Sequence, residues 1–268
     1  MARIALGVEY DGSTFCGWQT QPSGQSVQDA VDRALSSVAD EPIQSQCAGR
    51  TDAGVHALDQ VIHFDTQARR PLTAWVRGVN ARLPRSIAVK WSREVDEAFH
   101  ARYAARGRAY IYLLLNRPER PGLCHARVGW HHRPLDLLRM QEAAEVLLGT
   151  NDFSAFRAAE CQARSPVKEL RRATIVRVGE LVTFGFEADA FLHHMVRNIV
   201  GCLVLVGKGA REPGWVKQVL ESRDRRLAAP TFSAAGLYLS AVRYDVHWGL
   251  PAPTEAAPDH LVQHASIM

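Results

Sequence analysis

No stretch of this 268-residue chain approaches the ~20 consecutive apolar residues that a membrane-spanning helix requires. The opening residues 1–8 meet charge at Glu9 and Asp11, too soon for the apolar core of a signal peptide, so a cytoplasmic protein with no membrane partner is expected. Cysteine is scarce and scattered. Cys16, Cys47, Cys124, Cys161 and Cys202 include no pair closer than 31 residues, which excludes zinc-ribbon and redox-motif spacings, and their odd number argues against a disulfide framework. The sequence contains neither a phosphate-binding glycine loop followed by Lys-Ser/Thr nor a dinucleotide fingerprint, so no nucleotide cofactor is expected. The pairs His131-His132 and His193-His194 have no third ligand at regular spacing, and no metal is expected either.

Lysine is also rare: 28 of the 32 basic residues are arginine, whose planar fork suits phosphate and stacks on bases. The formal net charge of +4 is unevenly spread. Residues 1–105 carry 11 basic and 12 acidic side chains, residues 106–248 carry 21 and 14, and residues 249–268 carry only two acids. A basic later half permits a nucleic-acid partner, although an arginine-rich coding bias would look the same.

Hydrophobic periodicity divides the chain into two similar runs. Residues 3–9 read as a strand. Val27, Ala30, Val31, Ala34, Leu35 and Val38 recur at helical spacing over residues 26–38, with Ser26 and Asp29 placed to cap the start. Short strands are predicted at 43–48 and 60–65, the second half-buried because Ile62 and Phe64 alternate with His63 and Asp65. Pro71 opens a predicted helix to about Leu83, and a strand follows at 87–95. That order, β-α-β-β-α-β, is the ferredoxin-like unit. The second run repeats it loosely, with strands expected at 108–115, 127–132, 169–178, 181–188 and 236–246 and helices at 135–148, 193–206 and 212–222. The expected domains are 1–105, 106–248 and a loose proline-containing tail, 249–268. The expected fold class is α+β: two ferredoxin-like, RRM-like domains with antiparallel sheets joined side by side, with a catalytic cleft expected between them.

One segment stands out. In Cys47-Ala48-Gly49-Arg50-Thr51-Asp52-Ala53-Gly54-Val55-His56-Ala57 two glycines bracket a Thr-Asp pair between two predicted strands, an arrangement that lets the backbone turn sharply and project a carboxylate from a rigid frame. A plain turn, with Asp52 capping its own backbone, would fit the same residues. On the helix over 193–206, His193, Arg197 and Gly201 lie four apart on one stripe. An arginine among Met195, Val196, Ile199 and Val200 would need a carboxylate partner if buried, or would extend its stem along the apolar face if not. Tyr110 and Tyr112 point to one face of a basic strand.

From Gly49 through His56 the sequence resembles the TruA family of tRNA pseudouridine synthases around their catalytic aspartate. The resemblance extends to Tyr10-Asp11-Gly12 with Phe15 and Gly17-Trp18-Gln19, to Phe99-His100-Ala101-Arg102, to Asp152-Phe153 with Phe156-Arg157, to Phe191 and the run His193–Gly201, and to Gly236-Leu237-Tyr238-Leu239. It covers about residues 3–246.

The resemblance implies isomerisation of uridine to pseudouridine at positions 38, 39 and 40 of the tRNA anticodon stem-loop, by a homodimer and without a cofactor. It assigns the nucleophile to Asp52, the ion-pair partner of Asp52 to Arg197, and the base-stacking tyrosine to Tyr110 in preference to Tyr112. Attack on the sugar, attack on the base and removal of the sugar 2′ proton all remain open for Asp52. A uridine within a stem-loop must be flipped out to be reached, and Arg50, two residues before Asp52, is placed to fill the vacated space. Arg102, Arg106, Arg108, Arg157, Arg164, Lys168, Arg171 and Arg172 are candidate RNA contacts. Two other classes compete: a non-catalytic RNA binder, which lacks the expected RRM aromatic signature, and a nucleoside hydrolase, which would need a second carboxylate beside Asp52.

Overall fold

The computed structural model describes residues 1–253. Its contacts divide these residues into two compact units. The first is Met1–Arg106 together with the segment that begins at Tyr238; the second is Gly107–Leu237.

The first unit opens with β1 (Ala2–Tyr10) and α1 (Val27–Ala39). Helix α1 starts where its sequence predicts. The Ser26 hydroxyl accepts from Asp29 N at 3.0 Å while Asp29 Oδ2 accepts from Ser26 N at 3.1 Å, a reciprocal capping box. The stripe Val27, Ala30, Val31, Ala34, Leu35 and Val38 is buried. β2 is only Gln46–Cys47, shorter than the predicted 43–48. The reason lies in α1. Ile43 N donates to Ser36 Oγ at 2.9 Å and Ser45 N to Asp32 Oδ1 at 3.1 Å, so these amides are bound to helix side chains and not to a neighbouring strand.

β3 (His56–Thr66) follows and then β4 (Ile87–Val95). The expected helix from Pro71 is present over residues 72–80, wound as a π-helix at Ala74–Gly78, whose Trp75 is buried against Phe64. The order β4-β1-β3-β2, with every pairing antiparallel, is that of the β-α-β-β-α-β unit.

Strand β3 is buried on both faces, where alternation predicts one. His63 is 4% exposed because the segment 96–104 covers it: Ala101 N donates to His63 Nδ1 at 3.2 Å, and Phe99 and His100 pack on the ring. Arg3 ties that segment down, pairing with Asp65 and donating to the carbonyls of Glu97 and Phe99.

The second unit holds β5 (Ala105–Asn116), β6 (Gly129–His131), α2 (Leu137–Glu145), β7 (Gly149–Asp152), β8 (Val167–Val178), β9 (Leu181–Ala188), α3 (Met195–Gly207) and α4 (Trp215–Ser222). Its sheet runs β5-β9-β8-β7, all antiparallel, with β6 parallel to the end of β5. Four-residue β7 has no counterpart in the sequence pattern: Gly149 at φ 87° begins it, after a short turn that follows α2. The last strand, β10 (Leu237–Tyr244), lies parallel to β3 of the first unit through Tyr238 and Leu239 opposite His56 and Ala57. It occupies the stretch of the β3 edge that β2 leaves vacant. The architecture is α+β with mostly antiparallel sheets. No helix among the described residues is long and apolar enough to cross a membrane.

Candidate active site

The segment singled out by sequence is a loop from Ala48 to Val55 joining β2 to β3, and it is held from several sides. Ala48 N donates to Val61 O at 2.8 Å. Gln60, fully buried on β3, brackets Gly49: its Oε1 accepts from Gly49 N at 3.3 Å and its Nε2 donates to Gly49 O at 2.6 Å. Two residues on, the buried Thr51 hydroxyl shares a 2.8 Å hydrogen bond with the Tyr10 hydroxyl, and Thr51 O accepts from Trp18 N at 3.0 Å. Val55 N closes the turn onto Asp52 O at 3.1 Å.

Glycines supply the space. Gly17 sits at φ 92°, and a Cβ there would lie 2.8 Å from Thr51 O and 3.2 Å from Ala53 N, so only glycine lets the backbones approach so closely. A Cβ on Gly12 would collide with Val55 O, and Gly12 N donates to Nδ1 of buried His56 at 3.1 Å. The His56 ring stacks on Tyr238, with centroids 4.6 Å apart. The stretch Tyr10–Gln19 therefore forms the cradle of the Asp52 loop.

Asp52 itself is half-buried, and Arg50 is exposed two residues before it. Arg50 and Arg102 both act electrostatically on Cys47 at the base of the loop. Burial nevertheless dominates there and pushes the Cys47 thiol up to about 12, so it stays protonated and is no nucleophile. Arg102 is exposed and lies over the Tyr103 ring at 5.8 Å.

Tyr110 and Arg197 belong to the second unit. Tyr110, on β5, meets Phe191 edge-on at 5.0 Å. Tyr112, two residues along, is fully buried: its hydroxyl donates to Ser233 O at 2.9 Å and its ring packs against Phe184 and Phe232. Half-buried Arg197 is in the first turn of α3, its Nε donating to Phe232 O at 2.9 Å. The same strap, 229–233, is fastened to α3 elsewhere. Asn198 Oδ1 accepts from Thr231 Oγ1 at 2.7 Å and from Arg225 Nη2 at 3.0 Å, and Gly201 leaves room for Pro230 O.

The basic residues expected to meet RNA differ in their surroundings. Arg157 donates to the carbonyls of Cys161 and Ala163, Arg108 to Asp189 O, and Lys168 to Ser165 O and Val167 O; Arg171 pairs with Glu169 at 2.9 Å. Arg102, Arg106, Arg164, Arg171 and Arg172 stand at exposed positions, with Arg172 4.0 Å from Glu187.

Tyr10, Thr51 and Gln60 are the site residues that patterns alone do not assign. Gln60 leaves one trace, an amide beside apolar Val61 and Ile62 in a predicted strand, where burial demands partners for both its ends.

A family model described as tRNA pseudouridine synthase matches residues 7–104 and 143–245. A protein named tRNA pseudouridine synthase A from Thiobacillus denitrificans is 61% identical, covering 96% of this chain and 99% of the relative. Proteins of the same name from Dechloromonas aromatica and Chromobacterium violaceum are 58% and 56% identical, covering 97% and 95% of this chain and 100% and 98% of their own lengths. A crystal structure of a Cbf5-Nop10-Gar1 complex superposes only loosely, at 13% identity and a TM-score of 0.39 over 88% of this chain and 48% of that one. With the family model spanning both units and relatives matched along nearly their whole length, this chain belongs to the tRNA pseudouridine synthase family.

Proposed function

We propose that this protein isomerises uridine to pseudouridine at positions 38, 39 and 40 in the anticodon stem-loop of tRNA, with Asp52 as nucleophile or base on a flipped-out uridine. The observation that carries the proposal is the Asp52 loop: a carboxylate two residues from an exposed arginine, on a backbone fixed by buried hydrogen bonds. Rigid presentation of one charged group is what such a reaction demands, because misplacement by about 1 Å can cost on the order of 100-fold in rate.

The chemistry balances without a co-reactant. The bond from the sugar C1′ to N1 breaks and one from C1′ to C5 forms; the proton on C5 is lost and N1 gains one. Nothing is oxidised or reduced and no group is donated. A carboxylate initiates the exchange by attacking the sugar, by attacking the base, or by taking the 2′ proton.

The remaining roles follow the family motif residue by residue. Tyr110 stacks on the target base, Arg197 is the ion-pair partner of Asp52, and Arg50 supports the flipped conformation. Tyr110 has the stacking role by resemblance; the Tyr112 hydroxyl donates to Ser233 O. Among the RNA contacts, Arg102, Arg106, Arg164, Arg171 and Arg172 are favoured by exposure, whereas Arg108, Arg157 and Lys168 are half-buried. A homodimer acting on tRNA in the cytoplasm, without a cofactor, completes the proposal.

The test is a modification map of tRNA from cells lacking the chain. Uridines at 38–40 should remain unmodified and be converted again when the wild-type chain, but not Asp52→Asn, is restored. Full conversion at those positions in its absence would refute the proposed target.

A further inference from the structure

The Asp52 loop is braced by a relay of three buried side chains that end on either side of Arg50. Gln60 Nε2 donates to Gly49 O at 2.6 Å and lies 3.5 Å from the Tyr10 hydroxyl; that hydroxyl is 2.8 Å from Thr51 Oγ1. Gln60 and Thr51 are both buried, and Tyr10 is only 4% exposed. A register shift makes the geometry possible. Val8 pairs with Gln60 and Tyr10 with Ala57, so Leu58 and Asp59 of β3 stand against Glu9 alone, and β1 ends with Tyr10 beside the loop.

Each group in the relay does something an apolar residue would not. Gln60 satisfies both backbone groups of Gly49, one residue before Arg50. The Tyr10–Thr51 bond fixes the residue directly before Asp52. Within this loop, two residues that would face a substrate alternate with two that are locked inward: Gly49 and Thr51 held, Arg50 and Asp52 presented. A hydrogen-bonded buried relay of this kind defines one loop conformation, where a merely apolar anchor would allow several.

We infer that Tyr10, Thr51 and Gln60 are positioning residues for the isomerisation, acting through the Tyr10–Thr51 hydrogen bond and the Gln60–Gly49 clamp to set the placement of Asp52 and Arg50. This rests on Asp52 being the reacting carboxylate. None of the three touches the substrate; their effect is on the rate of the chemical step, not on tRNA affinity.

The experiment is a double-mutant cycle in the full-length protein, on tRNA labelled with tritium at uridine C5. It measures the single-turnover rate at saturating enzyme, tRNA affinity by filter binding, and thermal midpoint. Tyr10→Phe and Thr51→Val each remove one end of the same bond while keeping volume. Each should slow the chemical step by about 10- to 100-fold, the scale of a small misplacement, with tRNA affinity unchanged. Because both act through one bond, the double variant should be no slower than the worse single. Thr51→Ser, which restores the hydroxyl, should recover most of the rate lost in Thr51→Val.

Additive losses in the double variant, or affinity falling in step with rate, would overturn the inference; so would full activity in both single variants. If Thr51→Val does not fold, Tyr10→Phe against wild type and Thr51→Ser decides by the same split of rate from affinity. Asp52→Asn is run alongside. If Asp52→Asn is inactive while the relay variants are fully active, only the positioning inference fails. If Asp52→Asn is active, the assignment of the carboxylate fails.

Discussion

At the scale of single residues, chemistry and support can be told apart by what each side chain already touches. Tyr110 and Tyr112 look equivalent in sequence, yet Tyr112 is fully buried with its hydroxyl on Ser233 O. Tyr112→Phe should therefore cost about 1 kcal/mol of stability, the usual worth of one such bond, with turnover close to wild type. Tyr110→Ala should cost about 1–3 kcal/mol in stacking on the target base and, because Tyr110 is itself buried against Phe191, should also lower the thermal midpoint. Steady-state rates of the two variants distinguish them, and a turnover loss confined to Tyr112→Phe would exchange the two roles. The alternation that places both tyrosines on one face is legible in sequence. That Tyr112 meets the carbonyl of Ser233, more than a hundred residues away, is not.

Asp32 gives a second prediction at this scale. Burial beneath the loop at Ser45 raises its carboxyl to about 6, against the hydrogen bonds from the Ser45 amide and hydroxyl, which act to lower it. Between about pH 4 and 6 the folded protein thus keeps a proton that the unfolded chain has lost, so Asp32 reduces stability as pH rises through that window and by a constant amount above it. Asparagine can accept the same bonds without the charge. Asp32→Asn should gain on wild type from pH 4 to 6 and then hold a plateau on the order of 1–3 kcal/mol. Buried His63, lowered to about 4 mainly by desolvation, works in the opposite direction: its contribution is complete above about pH 6.5 and fades as pH falls. It is common to both proteins, so the difference between their denaturation curves isolates Asp32. A flat difference would contradict the assignment.

At the scale of elements, success and failure of sequence patterns had local causes. Helix α1 was legible because its cap and its apolar stripe are short-range features. The strand expected at 43–48 shrank because Ser36 and Asp32 capture its amides, a competition between helix side chains and a strand ladder that apolar alternation does not encode. β3 was expected to have a wet face, but a distant segment anchored by Arg3 covers it. The Asp52 loop lies between two strands, as its glycines predict, while its cradle depends on Gly17 and Gly12, more than thirty residues away in the chain. Gly17→Ala tests that cradle. With φ at 92° and Thr51 O in the way, alanine should cost about 1–3 kcal/mol in stability, and the displaced loop should lower the catalytic rate more than tRNA affinity. A stable, fully active Gly17→Ala would show that the close approach is dispensable.

At the scale of the whole molecule, the relevant feature is charge. The basic excess falls after residue 105, and the stretch 157–177 carries six basic and two acidic residues. Within it Arg164 and Arg172 are exposed, whereas Arg157 is bound to the carbonyls of its own loop. If phosphate contacts concentrate there, Arg164→Ala with Arg172→Ala should weaken binding similarly for all substrate tRNAs and reduce the slope of log affinity against log salt by roughly 0.7–0.9 per lost contact. The rate at saturation should hardly change. Unaltered affinity and slope would move the RNA path to other residues, with Gln19, Arg50 and Arg102 of the first unit next in order.

The central claim is that Asp52 drives a cofactor-free isomerisation of uridine in tRNA, and loss of hydrogen from C5 reports it directly. Purified protein, without added nucleotide or metal, should release tritium from tRNA labelled at uridine C5 while the chain of the RNA stays intact. Asp52→Asn should release none above background while binding tRNA within a few-fold of wild type. Tritium release that persists in Asp52→Asn, or that requires an added cofactor in the wild-type protein, would contradict the account.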